Sequence, residues 1–314
     1  MRIAIAGSGL LGTSLLTPLL NSSHEVVAIL QDGRQTRGFR RVWIPALARW
    51  LGGRNSMTAL ARRNRLPIFW IDRMTEEELA PLRALKPDLI LVGGFSIIFK
   101  TPLLDLPTHG CVNTHSSLLP RHRGPNPFNG VLMSGDEETG VTFHRMDPGV
   151  DTGDLLDQTR YPVEARDNLL TLYRRACKVA STRVLPVVDA IDADGCTPIP
   201  QDASLATYNK RPQAEDLWLR WDQPAEQIDR HVRALSPTPM ARFNYKGRVV
   251  YVARSTYNPR PVEAAPGTVL SSRGPATIAT GQGTITLRAA FLRLPIPWVW
   301  PAVWSRPAQG DKLD

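Results

Sequence analysis

MRIAIAGSGLLGTSLLTPLLNSSHEVVAILQD, residues 1–32, decides the fold. Arg2–Ala6 and Glu25–Leu30 are short apolar runs containing β-branched residues, the pattern of buried strands. Between them, Leu10–Leu20 has the length and apolar spacing of a helix. Strand, helix and strand in that order form a βαβ opening, which predicts a parallel sheet. The first apolar run is short and broken by glycines, so it reads as a strand and not as a secretion signal.

The alternation continues outward. Leu89–Val92, after Lys86-Pro87-Asp88, predicts another buried strand. Cys111–Thr114 predicts one after a turn at Gly110, and Thr142–Met146 a further one. Leu169–Asp189 carries apolar residues at helical spacing and predicts a long helix. This pattern predicts a doubly wound, mostly parallel α/β domain of Rossmann-like type over residues 1–195. The texture then changes. Cys196–Ala203 is rich in proline and polar residues, and we read residues 196–206 as a linker. Ala225–Leu235 predicts a helix. Short β-type runs follow at Phe243–Tyr245, Val249–Val252, Gly267–Leu270, Ala276–Thr280 and Thr284–Leu287. Glycines and prolines punctuate them, so residues 207–314 are expected to form a small, OB-like β-barrel domain with a Pro/Trp-rich tail.

The 314 residues are 42% hydrophobic and 21% charged, an ordinary globular composition. No apolar run reaches the ~18 residues of a spanning helix, so no stable membrane insertion is expected. Cys111, Cys177 and Cys196 lie far apart and form neither a disulfide framework nor a metal-ligand pair, which suits a reducing, cytoplasmic setting. His109, His115 and His122 recur in a short stretch, but a turn and a proline intervene and no metal is expected. The net charge of +9 favours acidic partners. Gln31–Leu66 holds nine arginines with Asp32 as its sole acid, and Leu205–Asp314 holds 15 Lys/Arg against 8 Asp/Glu. Within the first segment, Arg40–Leu51, with Trp43 and Trp50, suits tRNA phosphates, a nucleotide-sugar, a membrane surface or a helix packed on its own domain. Pro295–Trp304 suits a membrane-interface anchor, a partner groove or a tail folded over the barrel.

Gly7-Ser8-Gly9-Leu10-Leu11-Gly12 matches G-x-G-x-x-G between a strand and a helix, with Asp32 20 residues beyond Gly12. This is the dinucleotide fingerprint in its expected context, and it gives a second reading as an NAD(P)-dependent oxidoreductase. A third reading is a non-catalytic descendant that uses only its basic surfaces.

The densest chemistry lies elsewhere. Asn113-Thr114-His115-Ser116-Ser117-Leu118-Leu119-Pro120-Arg121-His122-Arg123-Gly124 leads on to Asp147-Pro148-Gly149-Val150-Asp151-Thr152-Gly153-Asp154. Asn113 and His115 are two apart on a strand end, so they share a face at the carboxyl edge of the sheet, where α/β sites form. Asp151 lies in a glycine-flanked loop suited to reach them. Acylation of an amine makes the carbonyl oxygen negative, and an Asn amide and an imidazolium both donate to such an oxyanion. A carboxylate beside the histidine orients it, raises its pKa or takes part in proton transfer. His144 reads as a strand position near this crevice.

This composite motif resembles the folate-dependent formyltransferase family, which includes methionyl-tRNA formyltransferase, glycinamide ribonucleotide transformylase and the sugar N-formyltransferases. The resemblance rests on Asn113/His115, Ser117–Pro120 and Asp151–Asp154. It implies that residues 1–195 are the catalytic domain and that Asn113, His115 and Asp151 are the catalytic trio. It further implies 10-formyltetrahydrofolate as donor, in a pocket near Val92, Gly93, Gly94, Phe95, Ser117, Leu118, Leu119, Pro120, Asp147 and Val150. Arg121, Arg123 and Asn126, at the site entrance, are candidates for acceptor binding. Thr207-Tyr208, Leu219-Arg220-Trp221, Ile228 and Arg233–Pro239 resemble the C-terminal domain of the tRNA enzyme. That likeness and the basic charge favour the amine of methionyl-tRNA as acceptor. The alternative is an aminosugar nucleotide or another small amine, because Gly7–Gly12 replaces the tRNA enzyme's usual Gly-Thr-Pro-Asp-Phe and because Pro125-Asn126-Pro127 is closer to sugar-type members.

Overall fold

The computed structural model describes residues 1–33, 56–292, 302–303 and 307–313. The Arg40–Leu51 segment lies outside these residues. So do the tryptophans of Pro295–Trp304, a stretch of which Ala302–Val303 alone is described.

The opening folds as its pattern requires. β1 (Arg2–Gly7) leads into α1 (Gly9–Leu19) and β2 (Glu25–Asp32). Then come α2 (Met57–Arg63), β3 (Ile68–Ile71), α3 (Glu76–Ala84), β4 (Leu89–Gly93) and α4 (Thr101–Leu104). β5 (Cys111–His115), α5 (Pro127–Ser134), β6 (Glu138–Arg145), β7 (Leu155–Pro162) and α6 (Leu169–Asp192) complete this half of the chain. The seven strands are ordered β3-β2-β1-β4-β5-β6-β7. β1, β2, β3, β4 and β5 pair in parallel, and β6 joins β5 antiparallel. The central strands are buried along nearly their whole length, as parallel strands covered on both faces must be. Ala4, Ala6, Val27, Leu30, Leu79, Leu82, Ile90 and Val92 share one core cluster. Strand order reverses about β1, so the carboxyl ends of β1, β4 and β5 meet at a topological switch point.

Gly7–Gly12 is built for close packing. A Cβ on Gly7 would stand 2.5 Å from the Gly93 carbonyl oxygen, and one on Gly12 2.7 Å from the Met57 sulfur. The first turn of α1 is already supplied with an acceptor: the Leu11 N–H donates to the Tyr173 hydroxyl at 3.0 Å. That is where a pyrophosphate would have to sit in the oxidoreductase reading.

The chain forms two compact units. The first holds Met1–Pro127, Glu138–Tyr161 and Tyr173–Tyr208; the second holds Phe128–Glu137, Pro162–Leu172 and Asn209–Asp314. In the second unit α7 (Ala225–Leu235) presents Ile228, Val232 and Leu235 to Phe243, Val250, Val252, Ile278 and Ile285. The strands are β8 (Ala241–Tyr245), β9 (Arg248–Asn258), β10 (Val269–Ser271), β11 (Thr277–Ala279), β12 (Thr284–Leu292) and β13 (Ala302–Val303). They run in the order β10-β11-β12-β9-β8, with β13 also on β12, as an antiparallel, curled half-barrel. The small barrel expected here is therefore an open one among the described residues.

Candidate active site

β5 places the first two side chains. Its alternation puts Asn113 and His115 on one face, and its parallel register sets Asn113 beside Val92 of β4. On the other side, antiparallel pairing sets Asn113 opposite His144 and His115 opposite Thr142. Directly opposed residues lie on the same face, so His144 joins the pair. Asn113 is half-buried, whereas His115 and His144 are 6% and 2% exposed.

Asp151 arrives from the loop after β6. Its backbone is left-handed, with φ of 54°. The loop shapes itself: Asp147 Oδ1 accepts from the Gly149 N–H at 3.0 Å and from the Thr152 hydroxyl at 2.6 Å. Gly153 packs so tightly on Arg145 that a Cβ would lie 2.1 Å from the Arg145 carbonyl oxygen. The Asp151 carboxylate then stands among two donors and two histidines. Asn113 Nδ2 donates to Oδ1 at 3.2 Å, and the Gly124 N–H to Oδ2 at 2.8 Å. His115 Nδ1 lies 3.5 Å from Oδ2, and His144 Nε2 3.5 Å from Oδ1.

Each histidine has one nitrogen committed to a backbone carbonyl. His115 Nε2 donates to the His122 oxygen at 2.8 Å, and His144 Nδ1 to the Arg145 oxygen at 2.7 Å. A carbonyl accepts only, so these nitrogens carry the protons in the neutral rings. Burial pushes the His115 pKa below its ordinary 6.5, and this outweighs the opposing pull of Asp151 and of the His122 carbonyl. The carboxylate beside His115 was expected to raise that pKa; desolvation of the imidazolium wins instead. Burial alone would also raise Asp151. Its closeness to His144, the His115 charge and the Gly124 N–H overcome it and hold the carboxyl at about 2. At neutral pH the site is a neutral His115 facing an ionised Asp151.

The remaining expected positions fall around this cluster. Val92 and Gly93 are buried at the end of β4, Gly94 is exposed with φ of 70°, and Phe95 is half-buried. The Ser117 hydroxyl donates to the Arg121 carbonyl at 2.7 Å, so its side chain is turned into its own loop. Leu119 is 3% exposed, while Leu118, Pro120 and Val150 are half-buried. Arg121 is exposed and Asn126 half-buried. The Arg123 guanidinium donates to Gln201 Oε1 at 2.7 Å. Gln201 was not singled out in the sequence. Its Nε2 donates to the carbonyls of Asp151 and Gly153 at 2.9 and 2.7 Å, so one amide ties Arg123 to the Asp151 loop. Among the described residues no cluster of three or more His, Cys, Asp or Glu forms a metal site. No described helix is long and apolar enough to cross a membrane.

A carboxylate, an amide and an imidazole meet at the carboxyl edge of a mostly parallel sheet, a set of groups suited to acyl transfer without a covalent nucleophile. Residues 1–188 match the formyl transferase family, and residues 212–292 match the formyl transferase C-terminal domain. The chain belongs to the folate-dependent formyltransferase family. Among solved structures it is similar to an N-formyltransferase from Helicobacter canadensis in complex with folinic acid and dTDP-3-aminofucose. That match has 18% identity and a TM-score of 0.70, and it covers 91% of this chain and 98% of that one. It is similar to HypX from Aquifex aeolicus, with 18% identity and a TM-score of 0.65, covering 94% of this chain and 46% of that one. A likely sugar N-formyltransferase from Mycobacterium tuberculosis matches with 21% identity and a TM-score of 0.59, over 80% of this chain and 95% of that one.

Proposed function

We propose that the protein transfers the formyl group of 10-formyltetrahydrofolate to the amino group of a nucleotide-linked aminosugar. The observation that carries the reaction is the Asp151 carboxylate held by Asn113 at 3.2 Å and facing His115 at 3.5 Å. The acceptor reading is supported by the aminosugar nucleotide that accompanies the Helicobacter canadensis enzyme and by Pro125-Asn126-Pro127. Methionyl-tRNA, the acceptor first favoured by the sequence, is supported by the basic charge and by the looser C-terminal likeness. The three free cysteines suit a reducing, cytoplasmic setting.

The amine attacks the formyl carbon, and the formyl oxygen takes up negative charge. Asn113 Nδ2 donates to that oxygen. His115, neutral and with its Nδ1 unprotonated, accepts the proton that the attacking nitrogen loses. The resulting imidazolium is stabilised by Asp151 and returns the proton to the departing nitrogen of tetrahydrofolate. Residues 1–195 would carry this chemistry. Val92–Phe95, Leu118–Pro120 and Val150 offer apolar surface and backbone groups of the kind a flat pteridine ring needs. Arg121, Arg123 and Asn126 lie where the acceptor would enter.

The test is direct. The protein is incubated with 10-formyltetrahydrofolate and either a dTDP-linked aminosugar or methionyl-tRNA, and tetrahydrofolate release and N-formyl product are followed. We expect product with the aminosugar and a loss of about 10²–10³ in kcat for His115→Ala. Product with tRNA alone would overturn the acceptor. An undiminished His115→Ala would remove His115 from the chemistry.

A further inference from the structure

Residues 199–207 run past both loops that carry the site. Ile199 exchanges two backbone hydrogen bonds with Leu155 of β7, at 2.8 and 2.9 Å. Further on, the Thr207 hydroxyl accepts from the His122 N–H and its carbonyl from the Arg123 N–H, both at 2.8 Å. Gln201 lies between these two anchors, and its side chain is fully committed. Nε2 donates one hydrogen to the Asp151 carbonyl at 2.9 Å and the other to the Gly153 carbonyl at 2.7 Å. Oε1 accepts from Arg123 Nε at 3.2 Å and from Nη2 at 2.7 Å. A carbonyl only accepts and a guanidinium only donates, so a single amide orientation satisfies all four bonds. The reversed amide would set an oxygen against two carbonyls and N–H groups against a cation.

We infer that Gln201 is a positioning residue for the reaction: it fixes the backbone of the Asp151 loop and holds the Arg123 guanidinium to that loop. Asp151 needs such support. Its φ of 54° is uncommon outside glycine and is kept where neighbours impose it. The Gly124 N–H bonds the Asp151 carboxylate at 2.8 Å while Gln201 bonds the Asp151 carbonyl at 2.9 Å. Residues 123 and 124 thus grip Asp151 at both ends, at one end by way of Gln201. The His122 carbonyl, just before them, accepts from His115 Nε2 at 2.8 Å. One amide therefore joins the loop that orients His115 to the loop that carries Asp151. Both of its hydrogens are used, so Gln201 acts through its neighbours and not on the substrate.

This inference rests on the proposed reaction for its kinetic test and on the protein alone for its titration. With Gln201→Leu we expect kcat to fall at least about tenfold, acceptor KM to rise as Arg123 loosens, and donor KM to stay level. Gln201→Glu separates the two halves of the amide, because its carboxylate keeps Arg123 but offers no donor to the two carbonyls. It should recover the acceptor KM and leave kcat low. A merely structural glutamine would lower the melting temperature of both variants and leave the kinetics of the folded enzyme unchanged. That result, or recovery of kcat with Glu, overturns the proposal. In carbon-13 spectra of the unliganded protein, the Asp151 carboxyl, held at about 2 in part by the Gly124 N–H, should titrate higher in Gln201→Leu than in the wild type. An unmoved titration also overturns it. If the wild-type protein formylates neither amine, the proposed function fails, while the titration still decides whether Gln201 holds Asp151.

Discussion

At the residue scale the pivotal group is Asp151, whose left-handed backbone carries its carboxylate between two histidines. Its depressed pKa has a thermodynamic consequence. A carboxyl at about 2 when folded and 3.8 when unfolded binds fewer protons in the native state. Its stabilisation is complete above pH 3.8 and disappears as the pH falls through about 2. The shift corresponds to about 2 kcal/mol. We therefore expect Asp151→Asn to be less stable than the wild type by about that amount at pH 5, with the gap closing near pH 2. Urea unfolding at the two pH values measures it, and a pH-independent gap would contradict the assignment. His115 gives the complementary kinetic expectation. Burial lowers its pKa, so the neutral base persists below pH 6.5. The acidic limb of kcat/KM should accordingly have an apparent pKa under 6.5. A limb centred above that value would show that the neighbouring carboxylate dominates over burial.

At the scale of elements, α7 shows how a polar residue is made compatible with a core. Asp229 is 5% exposed on the apolar face of the helix. Its Oδ2 accepts from Arg233 Nε one turn on at 2.8 Å, and its Oδ1 from the Ser255 hydroxyl of β9 at 2.7 Å. Asp229→Ala removes both acceptors and leaves the half-buried Arg233 and the hydroxyl short of partners. We expect a loss of about 2–3 kcal/mol, read as a lower urea midpoint with an unchanged slope. A loss below 0.5 kcal/mol would mean that solvent replaces these bonds. The same scale shows where the strand pattern was hard to read. Ile68–Ile71 is four residues long after a proline, and Leu155–Pro162 is half-exposed and mostly polar, so neither carries a clear period. β9 runs to Asn258, well beyond the apolar Val249–Val252, because its long pairing with β12 supports Arg254, Ser255 and Thr256. That pairing includes register shifts around Ala289, which no alternation rule anticipates.

At the scale of the whole molecule, charge is the feature that no single site explains. The net charge of +9 creates a field that attracts anionic acceptors, and salt screens it over about 10 Å at 0.1 M. For a diphosphate-bearing aminosugar, kcat/KM should fall as salt is raised from 0.05 to 0.5 M while kcat stays level. Equal loss in both parameters would point to damage at the site rather than weaker steering.

What residues 1–32 determined by themselves was the βαβ opening, because strand and helix periods and tight glycine turns are properties of neighbouring residues. The likeness of Asn113–Pro120 and Asp151–Asp154 to a family was equally legible, since those motifs lie on short continuous stretches. The functional state of the site was not. His144 is 31 residues from Asn113, Gln201 is 50 from Asp151, and Tyr173 is 162 from the helix N-terminus that it caps. Only folding brings these groups together. Only the carbonyls that folding sets beside each ring decide which nitrogen holds a proton, and only burial decides which side of the balance between desolvation and charge prevails at His115.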